Sequence, residues 1–298
     1  MKKTNRREFI LKSAAGLVGL SALSAGLKGL NMAPAADTVD KVKLGNTGLM
    51  VPRVALGTGS GGWAKASNQT RLGVNKFVEL SQYAYDKGIR FFDTADMYGS
   101  HPYVGEALKV IPRENVTILT KVMTYNQDSW YKVEPFQTSL DRFRKEVRTD
   151  YFDIFLLHCM MNGQWSTEYR KYMDGLSEAK QKGIIRTVGI SCHDMDAMVE
   201  AANNPWVDVL LARINHKGPK MDGTPEKVMK VLETARKNGK GVIGMKVFGM
   251  GELINDDQRE KSLNYVIKSG NVHCMTLGLE SREQIDDAVS RVMRIANS

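Results

Sequence analysis

Ile89-Arg90-Phe91-Phe92-Asp93-Thr94-Ala95-Asp96-Met97-Tyr98-Gly99 is the stretch whose reading decides the fold. An apolar run follows the turn Lys87-Gly88 and stops at Asp93, and Tyr98 lies five residues on in a loop closed by glycine. A carboxylate at a strand end and a phenol in the next loop are costly unless partnered or used. Two more polar residues end apolar strands. Lys121 closes residues 116–120, and His158 closes residues 151–157. One such residue alone reads as structural. Four of them, on consecutive strand–helix units, read as a site.

Outward from that stretch, strands and helices alternate. Strands are predicted at 54–58, 89–93, 116–120, 151–157, 185–190, 207–214, 241–247 and 272–277. Helices are predicted at 75–87, 103–109, 134–148, 167–182, 194–203, 225–238, 257–268 and 282–295. Eight such pairs without a second compositional block predict an α/β fold, a (β/α)8 TIM barrel. A doubly wound sheet is the alternative. It wants a glycine fingerprint opening a helix, whereas the run Gly57 to Gly62 leads into a long polar loop. Residues 42–51, turning at Gly45-Asn46-Thr47-Gly48, predict an N-terminal β-hairpin. In a barrel the site lies at the C-terminal strand ends.

The pattern Phe-Asp-Thr-Ala-x-x-Tyr-Gly, then Thr120-Lys121, then Leu156-Leu157-His158, resembles the aldo-keto reductase family from about Val42 to the C-terminus. The resemblance implies a hairpin closing the barrel bottom and a catalytic tetrad of Asp93, Tyr98, Lys121 and His158. It places cofactor contacts at Gly59, Ser191, Asn215, Lys246, Phe248, Gly249, Glu280, Arg282 and Gln284. The family's usual Asn after Ser191 is Cys192 here. Its Gln on the sixth strand falls at Leu211, its stacking aromatic at Met245, and a small hydroxyl residue at Lys246.

The chemistry follows from the four groups. A phenol has a pKa near 10, and a neighbouring Lys121 ammonium is expected to lower it. Asp93 would hold Lys121, and His158 would hydrogen-bond the substrate oxygen or relay a proton. No nucleophile elbow or zinc motif is visible. The set suits proton transfer to a carbonyl oxygen while hydride comes from a nicotinamide cofactor. The expected activity is therefore a carbonyl/alcohol oxidoreductase. The alternatives are a barrel lyase, epimerase or hydrolase with metal at His158, His193 and His216, or a binding protein on a reductase scaffold. No carboxylate-rich cluster accompanies those histidines, and Cys159, Cys192 and Cys274 form no Cys-x-x-Cys, so no metal is expected.

Two specificity expectations follow. Glu280 stands where the family commonly has a small hydroxyl residue near the NADP 2′-phosphate. A carboxylate there would repel phosphate and suit a free ribose hydroxyl, while Arg282 favours phosphate. Of NAD and NADP, the expectation leans to NAD. Trp63, Trp130 and Trp165 fall in loops at the expected mouth, and Trp206 precedes a strand. Rigid amphipathic rings suit flat apolar or sugar faces. The chain stops at Ser298, without the C-terminal loop that narrows the pocket in many family members. A wide site for a sugar-like carbonyl or alcohol is expected.

Residues 1–35 are read as a signal peptide and 36–298 as the barrel. Arg6-Arg7, then Phe9, a Gly/Ala/Leu-rich segment and Ala33-Pro34-Ala35 resemble a twin-arginine export signal. The expected partner is the twin-arginine export machinery and the expected location the periplasm. The apolar segment is broken by Gly16, Gly19 and Gly26, too short for the ~20 residues of a span. Six basic residues and one acidic residue leave with it, so five of the nine net charges go. The remainder is ordinary solubility charge and not a nucleic-acid footprint. Arg142, Arg144, Lys145 and Arg148 read as a solvated helix face.

Overall fold

Alternation along each strand decides what points into the barrel. Successive side chains leave opposite faces of a strand, so Phe91 and Asp93 share a face, as do Leu119 and Lys121, Leu156 and His158, and Leu211 and Arg213. The computed structural model describes residues 38–127 and 130–298; the segment expected to be an export signal lies outside them. The barrel strands are β3 (Val54–Gly57), β4 (Phe91–Asp93), β5 (Thr117–Met123), β6 (Phe152–Met160), β7 (Ile185–Cys192), β8 (Val209–Arg213), β9 (Gly241–Met245) and β10 (Cys274–Leu277). All pair in parallel, and β10 closes on β3. The doubly wound alternative is therefore set aside.

Two apolar layers hold this arrangement. Ala55, Phe91, Leu119, Ile154, Leu156, Val209, Leu211, Ile243 and Cys274 fill the barrel interior. The intervening residues, such as Phe92, Ile118, Phe155, Leu157 and Leu210, face a second layer shared with the surrounding helices. The eight expected helices all form, with ends shifted by at most two residues, and the fourth is divided into Trp165–Glu168 and Arg170–Gln181. One further helix, Asn68–Arg71, lies in what reads as loop. Ser67 caps it, accepting from the Thr70 amide; Ser at a helix start supplies an acceptor for an otherwise orphaned N–H.

The hairpin pairs β1 (Lys41–Lys43) with β2 (Met50–Pro52). Leu44 and Val51 join the interior core. The Asn46 amide donates to the Gly239 carbonyl, just before β9, and the Gly45 amide to His273, just before β10. The hairpin thus covers the N-terminal end of the barrel, as expected.

The strands under the site are longer than expected. β5 continues past Lys121 to Met123, and β6 past His158 to Met160. The register between β6 and β7 shifts between Leu157 and Met160, and Cys159 has a positive φ of 60°. This is a bulge of the kind that re-aims side chains near active sites.

Candidate active site

Asp93, Lys121 and His158 are inward-facing residues at the C-terminal ends of three consecutive strands, and Tyr98 ends the short turn Asp96–Tyr98 after β4. Lys121 is fully buried, and Asp93 and His158 nearly so. The Lys121 ammonium donates to an Asp93 carboxylate oxygen, to the Thr94 carbonyl at 3.0 Å and to the Tyr98 hydroxyl at 3.4 Å. The Tyr98 and His158 rings meet edge to face at 5.6 Å. The structure brings the four expected residues together.

The electrostatics correct one expectation. Burial raises the Tyr98 phenol well above 10, and the Asp93 carboxylate adds to the rise. Lys121 does not lower it, because its charge is already matched by Asp93. The phenol is therefore held as a proton donor. His158 is pushed well below its ordinary 6.5, first by burial and then by Lys121. It is a neutral imidazole, and its Nδ1 is buried without a partner among the described residues.

A cleft of about 450 Å³ leads away from this group. Its near end is lined by Gly59, Asp93 and Tyr98, its middle by Met245, Lys246 and Phe248, and its far end by Asn68, Gly278, Glu280 and Gln284. Lys246 has a positive φ of 58°. Its ammonium contacts the Met250 sulfur at 3.0 Å and pairs with no carboxylate among the described residues. Burial and the nearby Arg213 lower its pKa. At the far end the Asn68 amide donates to Glu280 at 2.8 Å, and Arg71 donates to Asn68 at 3.3 Å.

Several expected contacts lie elsewhere. Trp165 is fully buried, with its indole N–H on the Ala197 carbonyl and its ring 6.2 Å from Trp206; it packs the helix shell and is not available to substrate. Arg282 lies over the Tyr83 ring at 5.1 Å, away from the cleft. Asn215 is fully buried. Its amide donates to the Pro219 and Lys246 carbonyls while its oxygen accepts from the Lys217 and Gly218 amides, so it holds the loop and has no bond left for a ligand. Ser191 is also buried, with its hydroxyl 3.5 Å from His193 Nδ1. Gly249 lies behind the cleft wall, where a side chain would meet Pro219. Trp63 and Trp130 do meet at the mouth, ring centroids 5.0 Å apart, with Trp63 half exposed.

Arg142 corrects the solvated-face reading. It grips the buried Asp96 carboxylate with two bonds of 2.8 and 3.0 Å, and Lys65 pairs with the same carboxylate. Asp96, His101 and Glu146 have the spacing of a metal site, but their oxygens already serve Arg142 and Lys65, and His101 bonds Thr120 at 2.7 Å. This network ties the Tyr98 turn to the strand that carries Lys121. A helix-face pattern in sequence could not reveal the buried carboxylate opposite it.

Eight parallel strands carry a phenol, ammonium, carboxylate and imidazole at their C-terminal mouth beside a long cleft. The Aldo/keto reductase family model matches residues 53–296, and the chain belongs to that family. It is an NAD(P)-dependent oxidoreductase acting on a small-molecule carbonyl or alcohol, which replaces the lyase and scaffold alternatives. It is 28% identical to L-galactose dehydrogenase of Arabidopsis thaliana over 248 residues, 79% of this chain and 75% of that protein. A solved putative aldo-keto reductase from Pseudomonas aeruginosa superposes with a TM-score of 0.72 at 22% identity, covering 87% and 98% of the two chains. The Bombyx mori aldo-keto reductase in complex with NADP superposes with a TM-score of 0.63 at 18% identity, covering 87% and 93%. The lean to NAD finds no support in these relatives.

Proposed function

We propose that this chain reduces the carbonyl of a sugar-like substrate with NADPH, with Tyr98 as the proton donor. The observation that carries the reading is the Tyr98 hydroxyl bonded to a Lys121 ammonium that Asp93 and Thr94 fix in place. The raised phenol pKa keeps the proton on Tyr98 until an oxygen gains negative charge beside it, the situation in which a positioned acid lowers a barrier. Neutral His158 keeps one ring N–H to orient that oxygen, and Lys121 holds the phenol in place through its bond to the hydroxyl.

The residues fit a nicotinamide nucleotide. The cleft is long, opens beside Tyr98, and holds the Lys246 ammonium without a counter-ion among the described residues. Such a nucleotide supplies the hydride that side chains cannot. Lys246 and Phe248 would hold its middle, and Gln284 its far end. The 2′-phosphate form is supported by the NADP complex of the Bombyx mori relative and by the Arg71 cation, which bonds Asn68 at the far end of the cleft. The sugar-like substrate rests on the Trp63–Trp130 pair and on the likeness to L-galactose dehydrogenase. Export rests on the Arg6-Arg7 motif and places the enzyme in the periplasm. NADPH consumption against a panel of sugar aldehydes and ketones tests the reading; no turnover of any carbonyl with either nucleotide would refute it.

A further inference from the structure

Arg213 stands out among the inward-facing residues at the barrel mouth. It follows Leu211 by two residues on β8, so it shares the interior face, and its Cα pairs with that of Met245, next to Lys246. Its guanidinium has five N–H donors. Among the described residues only one of them reaches an acceptor, Nη1 on Asp222 at 3.1 Å. Nε has no partner, and neither does the second Asp222 oxygen. The Nε–Nη2 edge is therefore free of protein acceptors, and that edge takes a carboxylate through two parallel bonds. A buried donor without an acceptor is costly, and its retention on the interior face at the C-terminal end of β8, paired with the cleft-lining Met245, points to a ligand.

The surroundings agree. After burial, Arg213 is the main cause that lowers His193, to about 3, and it also acts on Lys246 and Cys159. On the backbone, Arg213 pairs with Met245, which lines the cleft. From Tyr98 to His158 is 5.6 Å between rings, and from His158 to His193 is 6.2 Å. Arg213 acts electrostatically on the far member of this row.

We propose that Arg213 is the substrate-recognition residue for an anionic group, and that the substrate is a carbonyl compound carrying a carboxylate several carbons from the reacting carbon. A sugar acid meets this spacing and a 2-oxo acid does not. The proposal rests on the carbonyl-reductase reading and adds the charge of the substrate. The Asp222 carboxyl, raised to about 6 by burial, orients the guanidinium from the side opposite the ligand.

The test uses the purified full chain with NADPH and two aldehydes that differ only at C6, D-glucuronate and D-glucose, with 4-nitrobenzaldehyde as a general carbonyl probe and pyruvate as the short oxo acid. The wild type should favour glucuronate over glucose in kcat/KM by about tenfold to a hundredfold, the range of a charged hydrogen-bonded pair. In Arg213→Met that ratio should fall to near one, and in Arg213→Lys, which keeps the charge without the fork, it should lie between. Pyruvate should gain nothing from Arg213. A wild-type ratio near one, with 4-nitrobenzaldehyde reduced, overturns the proposal and leaves the reductase reading standing. An unchanged ratio in a folded Arg213→Met or Arg213→Lys protein also overturns it. Failure of every carbonyl, 4-nitrobenzaldehyde included, removes the reductase reading and this proposal with it.

Discussion

Replacing Gly59 with alanine should push the Tyr98 phenol off Lys121. A Cβ built on Gly59 would lie 2.5 Å from both Cδ2 and Cζ of the Tyr98 ring. Ordinary contact begins near 3.4 Å, so the ring must retreat by about 0.9 Å. Gly59 is not among the positive-φ residues, and the cost is collision alone. The Tyr98 hydroxyl is already 3.4 Å from the Lys121 ammonium. A retreat of that size carries it beyond hydrogen-bond range. Misplacing a reacting group by about 1 Å can cost roughly 10²-fold in rate. Overpacking of this kind costs about 1–3 kcal/mol of stability, so the protein should still fold. The assay is kcat for an aldehyde with NADPH, read beside Tm and circular dichroism. Wild-type kcat in a folded Gly59→Ala enzyme would refute the claim that the first loop sets the position of Tyr98.

Other consequences are open to measurement. Arg142→Met leaves the buried Asp96 carboxylate with Lys65 alone; it should cost about 1–3 kcal/mol in urea unfolding, and an unchanged midpoint would return Arg142 to the solvated face. Burial lowers His273 to about 4. Its folded pKa lies below its unfolded value, so its contribution is present above pH 6.5 and lost as pH falls towards 4, by on the order of 3 kcal/mol at most; stability flat between pH 7 and 4 would contradict this. Glu280→Ser should tighten NADPH relative to NADH in dissociation constants, because the carboxylate lining the far end is removed. Arg6→Lys with Arg7→Lys should hold the precursor in the cytoplasm, and undiminished export of the double variant would discount the twin-arginine reading.

Much of the architecture was legible because it rests on local rules. The apolar strands with Asp93, Lys121 and His158 at their ends gave both the barrel and the cluster, since alternation carries an inward Phe91 or Leu119 to an inward Asp93 or Lys121 two residues later. What was not legible depends on partners distant in sequence. Trp165 reads as a loop residue, but it opens a helical turn whose indole reaches Ala197, 32 residues on. Arg142 reads as one of several surface cations until the Asp96 turn is laid against its helix. Asn215 matches a ligand-binding position in type, yet its own loop takes every bond it can make. The direction of the Tyr98 shift required knowing that Asp93 cancels the Lys121 charge while burial acts unopposed.

Proton delivery by the Tyr98 hydroxyl is the step on which the proposed reaction turns. Tyr98→Phe removes that oxygen and keeps the ring that packs against Gly59, Gly62 and His158. Single-turnover reduction of 4-nitrobenzaldehyde, followed by loss of NADPH absorbance, should slow by roughly 10²–10⁴-fold, with NADPH affinity and Tm unchanged. Reduction at the wild-type rate by the folded, NADPH-saturated variant would contradict it.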